Sequence, residues 1–197
     1  MDKETITSLL LEQNKPQQAL EQTVPREITG QVKRTAEQNI SIISGIRRSG
    51  KSTLLRQLQR QEQRPQLYVN FDDDRFIEFT VQDFQKLLEA SIETIGEPDV
   101  FFFDEIQNIK GWERFVRRLH DNGKTIYVTG SNATMLSKEL GTHLTGRHIT
   151  TPLYPFSFKE FLTFKNKRFD NDKPTPTERA NLKKLFNEYA KTGGIPK

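Results

Sequence analysis

Residues 40–55 read ISIISGIRRSGKSTLL. The first five are β-branched or small, and the run stops at Gly45, as a buried strand entering a tight turn would. From Lys51 onward, leucines at 54, 55 and 58 fall on one face of a helix. Between the two, Gly45-Ile46-Arg47-Arg48-Ser49-Gly50-Lys51-Ser52 satisfies G-x-x-x-x-G-K-[ST]. Glycines at both ends let backbone N–H groups turn inward as an anion nest, and the following helix N-terminus adds partial positive charge. At average residue frequencies the pattern arises by chance in a chain of this length about 1% of the time. An ordinary strand-to-helix turn has no need of it, so the loop reads as one built around phosphate.

The motif assigns nucleotide contacts to Gly45, Arg48, Ser49, Gly50, Lys51, Ser52 and Thr53. Lys51 is expected to reach the β- and γ-phosphates of a nucleotide, and the Ser52 hydroxyl to ligate Mg²⁺. Outward from this loop, strands are predicted at 66–71, 99–105, 124–130 and 148–156. Helices are predicted at 4–13, 28–38, 51–61, 81–95, 112–123, 157–164 and 178–191, with a further one after Gly130. The alternation of strand and helix predicts an α/β fold: a P-loop NTPase three-layer sandwich with a mostly parallel central sheet, plus a C-terminal helical extension.

Asp104 and Glu105 follow the apolar run VFFF, which sets adjacent carboxylates at the C-terminal edge of a buried strand, where open α/β sheets hold ligands. Asp104 is expected to help hold Mg²⁺ through water, and Glu105 to orient or deprotonate the water attacking the γ-phosphate. A pair of solvated turn carboxylates is the bland alternative. In YVTGSNA (127–133), Ser131 and Asn132 end the next strand and are placed to sense the γ-phosphate; helix N-capping is the competing role.

The set GIRRSGKST, FFFDEIQN, VTGSNA, LTGRHITTPLYPFSFKEFL and terminal GGIP resembles the ATPase domain of the AAA-type P-loop proteins of bacteria and archaea that carry a further C-terminal domain. The likeness spans about residues 20–197; its first two motifs are widely shared, the last two narrower. By that resemblance Asp104 and Glu105 match the metal-binding and catalytic acids, and Asn132 or Ser131 the first sensor. Arg147, in TGRH, matches an arginine near the γ-phosphate, presented in cis or to a neighbouring subunit. The resemblance also implies that related chains continue past GGIP, so residues 1–197 are expected to be an ATPase fragment. Homo-oligomer formation or contact with a C-terminal domain is the partner it suggests.

The expected organisation is N-terminal helices over 1–39, the ATPase core over 40–164, a polar, proline-bearing linker over 165–177, and over 178–197 a helix leading towards a C-terminal domain. With 197 residues, 34% of them apolar, the chain can bury a substantial core. No cysteine is present, which excludes disulfides and thiolate catalysis. Neither an export signal nor a membrane span is evident, which favours the cytoplasm. A formal charge of +4 permits a DNA partner without supporting one.

The DDD run at 72–74 lacks calcium-loop spacing and reads as a solvated strand-end loop. His120, His143 and His148 form no metal-ligand pattern. Trp112, Phe115, Val116 and Leu119 read as a core face; Arg114, Arg117 and Arg118 opposite them read as facing water. PFSFKEFLTF is expected to cap the sheet. A Mg²⁺-dependent ATPase is the leading reading and a nucleotide-controlled switch with incidental hydrolysis the second; a kinase lacks an acceptor site.

Overall fold

A computed structural model describes residues 1–15, 23–131, 144–167 and 175–195. Strand β1 (Ile40–Ser44) is buried along its whole length. It lies between β4 (Thr125–Gly130) and β5 (His148–Pro152), with β3 (Val100–Asp104) and β2 (Gln66–Asn70) beyond β4, giving the order β2-β3-β4-β1-β5. All four strand pairings are parallel. A strand flanked by others and covered on both faces is expected to be largely apolar on both, which is why β3 carries the run VFFF and β1 is isoleucine-rich, with the small Ser41 and Ser44 as its buried polar members.

Side-chain alternation divides the core in two. Ile40, Ile42, Leu67, Val69, Phe101, Phe103, Ile126 and Val128 pack against α1 (Lys3–Gln13), α4 (Phe84–Ile95) and α5 (Trp112–Asp121). Ile43, Tyr68, Val100, Phe102 and Tyr127 pack against α2 (Thr29–Ala36) and α3 (Lys51–Arg60). Helix, sheet, helix makes the three layers, and Trp112, Phe115, Val116 and Leu119 lie in the core as expected.

Several elements begin or end differently from their sequence expectation. The helix expected from residue 81 starts as a 3-10 turn, Val81–Asp83, held by a Thr80–Asp83 capping box, before α4 takes over. Strand β5 ends at Pro152, although the Leu153 N–H still donates to the Ser44 carbonyl. None of the phenylalanines of PFSFKEFLTF belongs to either core cluster, so the segment does not cap the sheet. Its α6 (Phe158–Phe164) packs instead on α7 (Pro176–Thr192): Phe158 meets Phe186 edge-on at 5.3 Å, and Phe161 lies 5.5 Å from Tyr189. Thr175 caps α7 in a box with Glu178, with proline in the first turn, so the last residues of the expected linker already belong to that helix and its cap. No helix among the described residues is long and apolar enough to cross a membrane.

From β1 the chain leaves through α3 for β2 at the far edge, whereas β5 lies on the opposite side of β1. Connections that diverge in this way open a crevice at the C-terminal ends of the strands, the usual ligand position in an open parallel sheet. Register brings Ser44 level with Gly130 and Asn70 level with Asp104, so the ends of β1, β2, β3 and β4 share that edge.

Candidate nucleotide site

The glycine loop leaves β1 at this edge. A Cβ at Gly45 would stand 2.4 Å from the Leu153 carbonyl oxygen and 2.8 Å from Ser49 Oγ, so only glycine lets the loop pass under the segment after β5. Gly50, at φ 93°, is the N-cap of α3, and Arg48 is also in the left-handed region, at φ 67°. Lys51, with 4% of its side chain exposed, curls back over the loop. Its Nζ donates to the Gly45 carbonyl at 3.1 Å and the Ile46 carbonyl at 3.3 Å, and pairs with Glu105 Oε1 at 3.3 Å.

Glu105 is the first residue beyond β3 and takes a left-handed conformation, φ 50° and ψ 42°, that turns it out of the strand. Its N–H donates to Thr129 Oγ1 at 2.9 Å, and that hydroxyl donates to Asp104 Oδ1. The Glu105 carboxylate accepts from the Ser131 N–H at 3.0 Å and from Gln107 Nε2. Burial pushes the acid up, but Gln107, the Lys51 ammonium and the Ser131 N–H outweigh it and hold Glu105 below the ordinary glutamate range. Asp104, 1% exposed, also accepts from the Tyr68 hydroxyl at 2.9 Å. Burial, then the Asp104 charge, pushes the Tyr68 phenol up, so it stays a neutral donor.

Arg47, Arg48, Gly50, Lys51, Ser52, Thr53, Asn70, Asp72 and Glu105 line a cavity of about 340 Å³. Its donors and oxygens suit a magnesium triphosphate. Ser52 and Asp104 are hard oxygen donors, and the carboxylate retains lone pairs beyond those used by Thr129 and Tyr68. Among the described residues no cluster of His, Asp and Glu would hold a metal alone. Mg²⁺ takes one or two protein oxygens and completes its shell from phosphates and water. A second cavity, of about 270 Å³, shares Arg48, Gly50 and Thr53 with the first and continues into Thr23, Val24, Pro155, Phe156, Phe164 and Gly194.

The structure thus gathers Gly45, Arg48, Ser49, Gly50, Lys51, Ser52, Thr53, Asp104 and Glu105 at one edge. Ser131 reaches Glu105 through its backbone, its side chain being exposed. Asn132 and His143 lie outside the described residues. Arg147 is not brought to the site. Its carbonyl accepts from the Ile40 N–H at 2.8 Å and its Nε pairs with Asp121 at 3.0 Å, at the N-terminal ends of the strands. A five-residue strand at about 3.3 Å per residue separates it from the loop edge. A role in cis is therefore corrected: Arg147 cannot reach a phosphate bound to its own loop. In the DDD run, Asp73 is tied to Arg75 at 2.7 Å and Asp72 lines the first cavity. Thr129, Tyr68 and Gln107 went unforeseen; only the position of Thr129, at a strand end beside Ser131, carried any signal.

A family described as an AAA domain matches residues 37–162. An uncharacterized protein of Methanocaldococcus jannaschii is 42% identical over 159 residues, 80% of this chain and 35% of the relative. One of Haemophilus influenzae is 41% identical over 165 residues, 80% of this chain and 39% of the relative. The chain thus spans little more than a third of these relatives. A Walker-type ATPase of Pyrococcus abyssi shares the fold at TM-score 0.53 and 20% identity, over 88% of this chain and 64% of its own.

Proposed function

The chain belongs to the AAA-domain family, and we propose that it binds ATP with Mg²⁺ in the cavity between the glycine loop and the end of β3 and hydrolyses the γ-phosphate. The observation that carries this reading is the meeting of Lys51 and Glu105, from separate elements, at 3.3 Å in one cavity. Lys51 offers the terminal phosphates a charge that loop carbonyls and Glu105 already aim. Ser52 directly, and Asp104 through water, would hold Mg²⁺, which when bound neutralises charge on the transferred group. Glu105 orients the attacking water and takes its proton. Thr129 keeps Glu105 turned towards the cavity, and Ser131 or Asn132 reads the γ-phosphate. The more apolar second cavity takes the base and ribose. If Arg147 acts on phosphate, it does so at a neighbouring subunit.

One observation favours a slower, switch-like use of the site. The Glu105 carboxylate is engaged by Lys51, Ser131 and Gln107 and held at low pKa, which makes it a weak base as it stands. Calorimetry with Mg-ATP alongside phosphate release tests both readings. Lys51→Ala should lose at least about tenfold in affinity, and Glu105→Gln should bind ATP while losing turnover. Absence of ATP binding by the folded wild type rejects the reading, and turnover that survives Glu105→Gln removes the assigned base. ATP-dependent partner binding preserved in Glu105→Gln would favour the switch.

A further inference from the structure

Arg26 is buried, 7% exposed, beside the glycine loop, and joins segments remote in sequence. Its Nε donates to Glu160 Oε1 at 3.0 Å, one Nη to the Ser49 carbonyl at 2.7 Å and the other to the Tyr154 carbonyl at 2.6 Å. The guanidinium also lies 5.0 Å from the centre of the Phe156 ring. Glu160 is held in turn by the N–H groups of Glu27 at 2.8 Å and Ser157 at 2.9 Å. A buried ion pair of this kind is seldom better for stability than apolar packing, so fold stability alone is a weak account of it.

The bond to Ser49 has a directional consequence. In a planar trans peptide the C=O and N–H point opposite ways, so a carbonyl pinned towards Arg26 turns the Gly50 N–H away from it. Arg26 lines the more apolar cavity and not the phosphate cavity, whereas Gly50 lines both. Gly50 sits at φ 93°, and a glycine there leaves the Ser49–Gly50 peptide free to rotate unless something outside the loop holds it.

We propose that Arg26 is a positioning residue for the triphosphate: it fixes the Ser49–Gly50 peptide so that the Gly50 N–H faces the phosphates, and Glu160 on α6 fixes Arg26. The inference rests on the reading that the glycine loop binds phosphate. It makes the anion affinity of the loop depend on how α6 is seated. It also explains why an arginine is used, since three separate acceptors require a planar fork and an ammonium offers only a point charge.

The test is calorimetry with inorganic tripolyphosphate and Mg²⁺, which probes the loop without a base, at a temperature well below each variant's melting midpoint. Arg26→Ala should bind tripolyphosphate about tenfold or more weakly than wild type. Ethylguanidinium at tens of millimolar should restore part of that loss in Arg26→Ala and do nothing for wild type. Where Arg26→Ala does not fold, Arg26→Lys carries the test, with a loss of several-fold expected at a near-native melting midpoint. Wild-type affinity in a folded variant overturns the inference and leaves the ATP reading standing; a loss that ethylguanidinium does not relieve assigns Arg26 to packing and overturns it too. A folded wild type that binds neither tripolyphosphate nor ATP overturns both.

Discussion

At the scale of single residues, the site depends on a short hydrogen-bonded chain from Tyr68 through Asp104 and Thr129 to the Glu105 backbone. Thr129→Val removes the middle link with almost no change of volume. It leaves the Glu105 N–H and a buried Asp104 oxygen short of a partner, at a cost of about 1–3 kcal/mol in stability. Turnover should fall at least about tenfold while ATP affinity changes less than about threefold, since the substitution acts on the acid proposed to orient water and not on the proposed phosphate donors; parallel calorimetry and phosphate release check this. Because Glu105 is held low, any acid limb it contributes to turnover should lie below that of an ordinary glutamate. Asp73 and Glu62 are lowered to about 2, chiefly by hydrogen bonds from Arg75 and Arg64. With folded values below unfolded ones, their contribution is complete above the unfolded pKa near 4 and is lost as pH falls towards 2. Urea midpoints should therefore show no loss from these two groups between pH 7 and 5 and a decline below about 4.5; a loss between pH 7 and 5 that Arg75→Gln and Arg64→Gln abolish would contradict the assignment.

At the scale of elements, α1 does something that its amphipathic pattern did not announce. Its last residue, Gln13, accepts from the Asn70 N–H at 2.8 Å and donates to the Asn70 carbonyl at 3.3 Å. Asn14 does the same for Tyr68, at 3.0 and 2.9 Å. Side-chain amides thus stand in for the neighbour that edge strand β2 lacks and cover an edge that would otherwise invite pairing with another chain. Gln13→Ala with Asn14→Ala should destabilise the protein by about 1–3 kcal/mol and promote self-association, both readable by urea denaturation and light scattering; unchanged values would mean that the edge needs no cover. This contrast explains what could be read beforehand. The strands, the glycine loop and the Asp104–Glu105 pair were legible because periodicity and spacing are local properties of the chain. Arg26, Thr129, Tyr68 and Gln13 were not, because their roles exist only once remote segments meet. The phenylalanines of α6 were legible as apolar but not as partners of α7, since nothing local says which surface an apolar face will cover.

At the scale of the molecule, the proposed site divides the ligand between two cavities lined by two parts of the chain. The phosphate cavity is lined from the sheet edge and α3, while the second is closed by Thr23 and Val24 before α2, Phe164 at the end of α6 and Gly194 after α7. Gly194 comes close enough to hydrogen-bond through its carbonyl to the Phe156 N–H at 3.0 Å. A Cβ there would stand 2.4 Å from the Phe156 carbonyl oxygen, at a φ of +74° that a side chain disfavours. Tyr189 on α7 donates to that same carbonyl at 3.0 Å, so the end of α7 and the wall of the second cavity are one contact. Gly194→Ala should push the end of α7 off Phe156 and open the base side of the site without touching Lys51, Ser52 or Glu105. The expected result is ATP affinity weakened about tenfold, with tripolyphosphate affinity held within about twofold and the melting midpoint slightly lowered. Equal losses for both ligands would mean that displacement of α7 reaches the loop, as the Arg26–Glu160 link allows, and that the two cavities do not act separately. No loss for either would place the base elsewhere, so the ratio of the two affinities, more than either alone, reports whether the C-terminal helices form a wall of the nucleotide site.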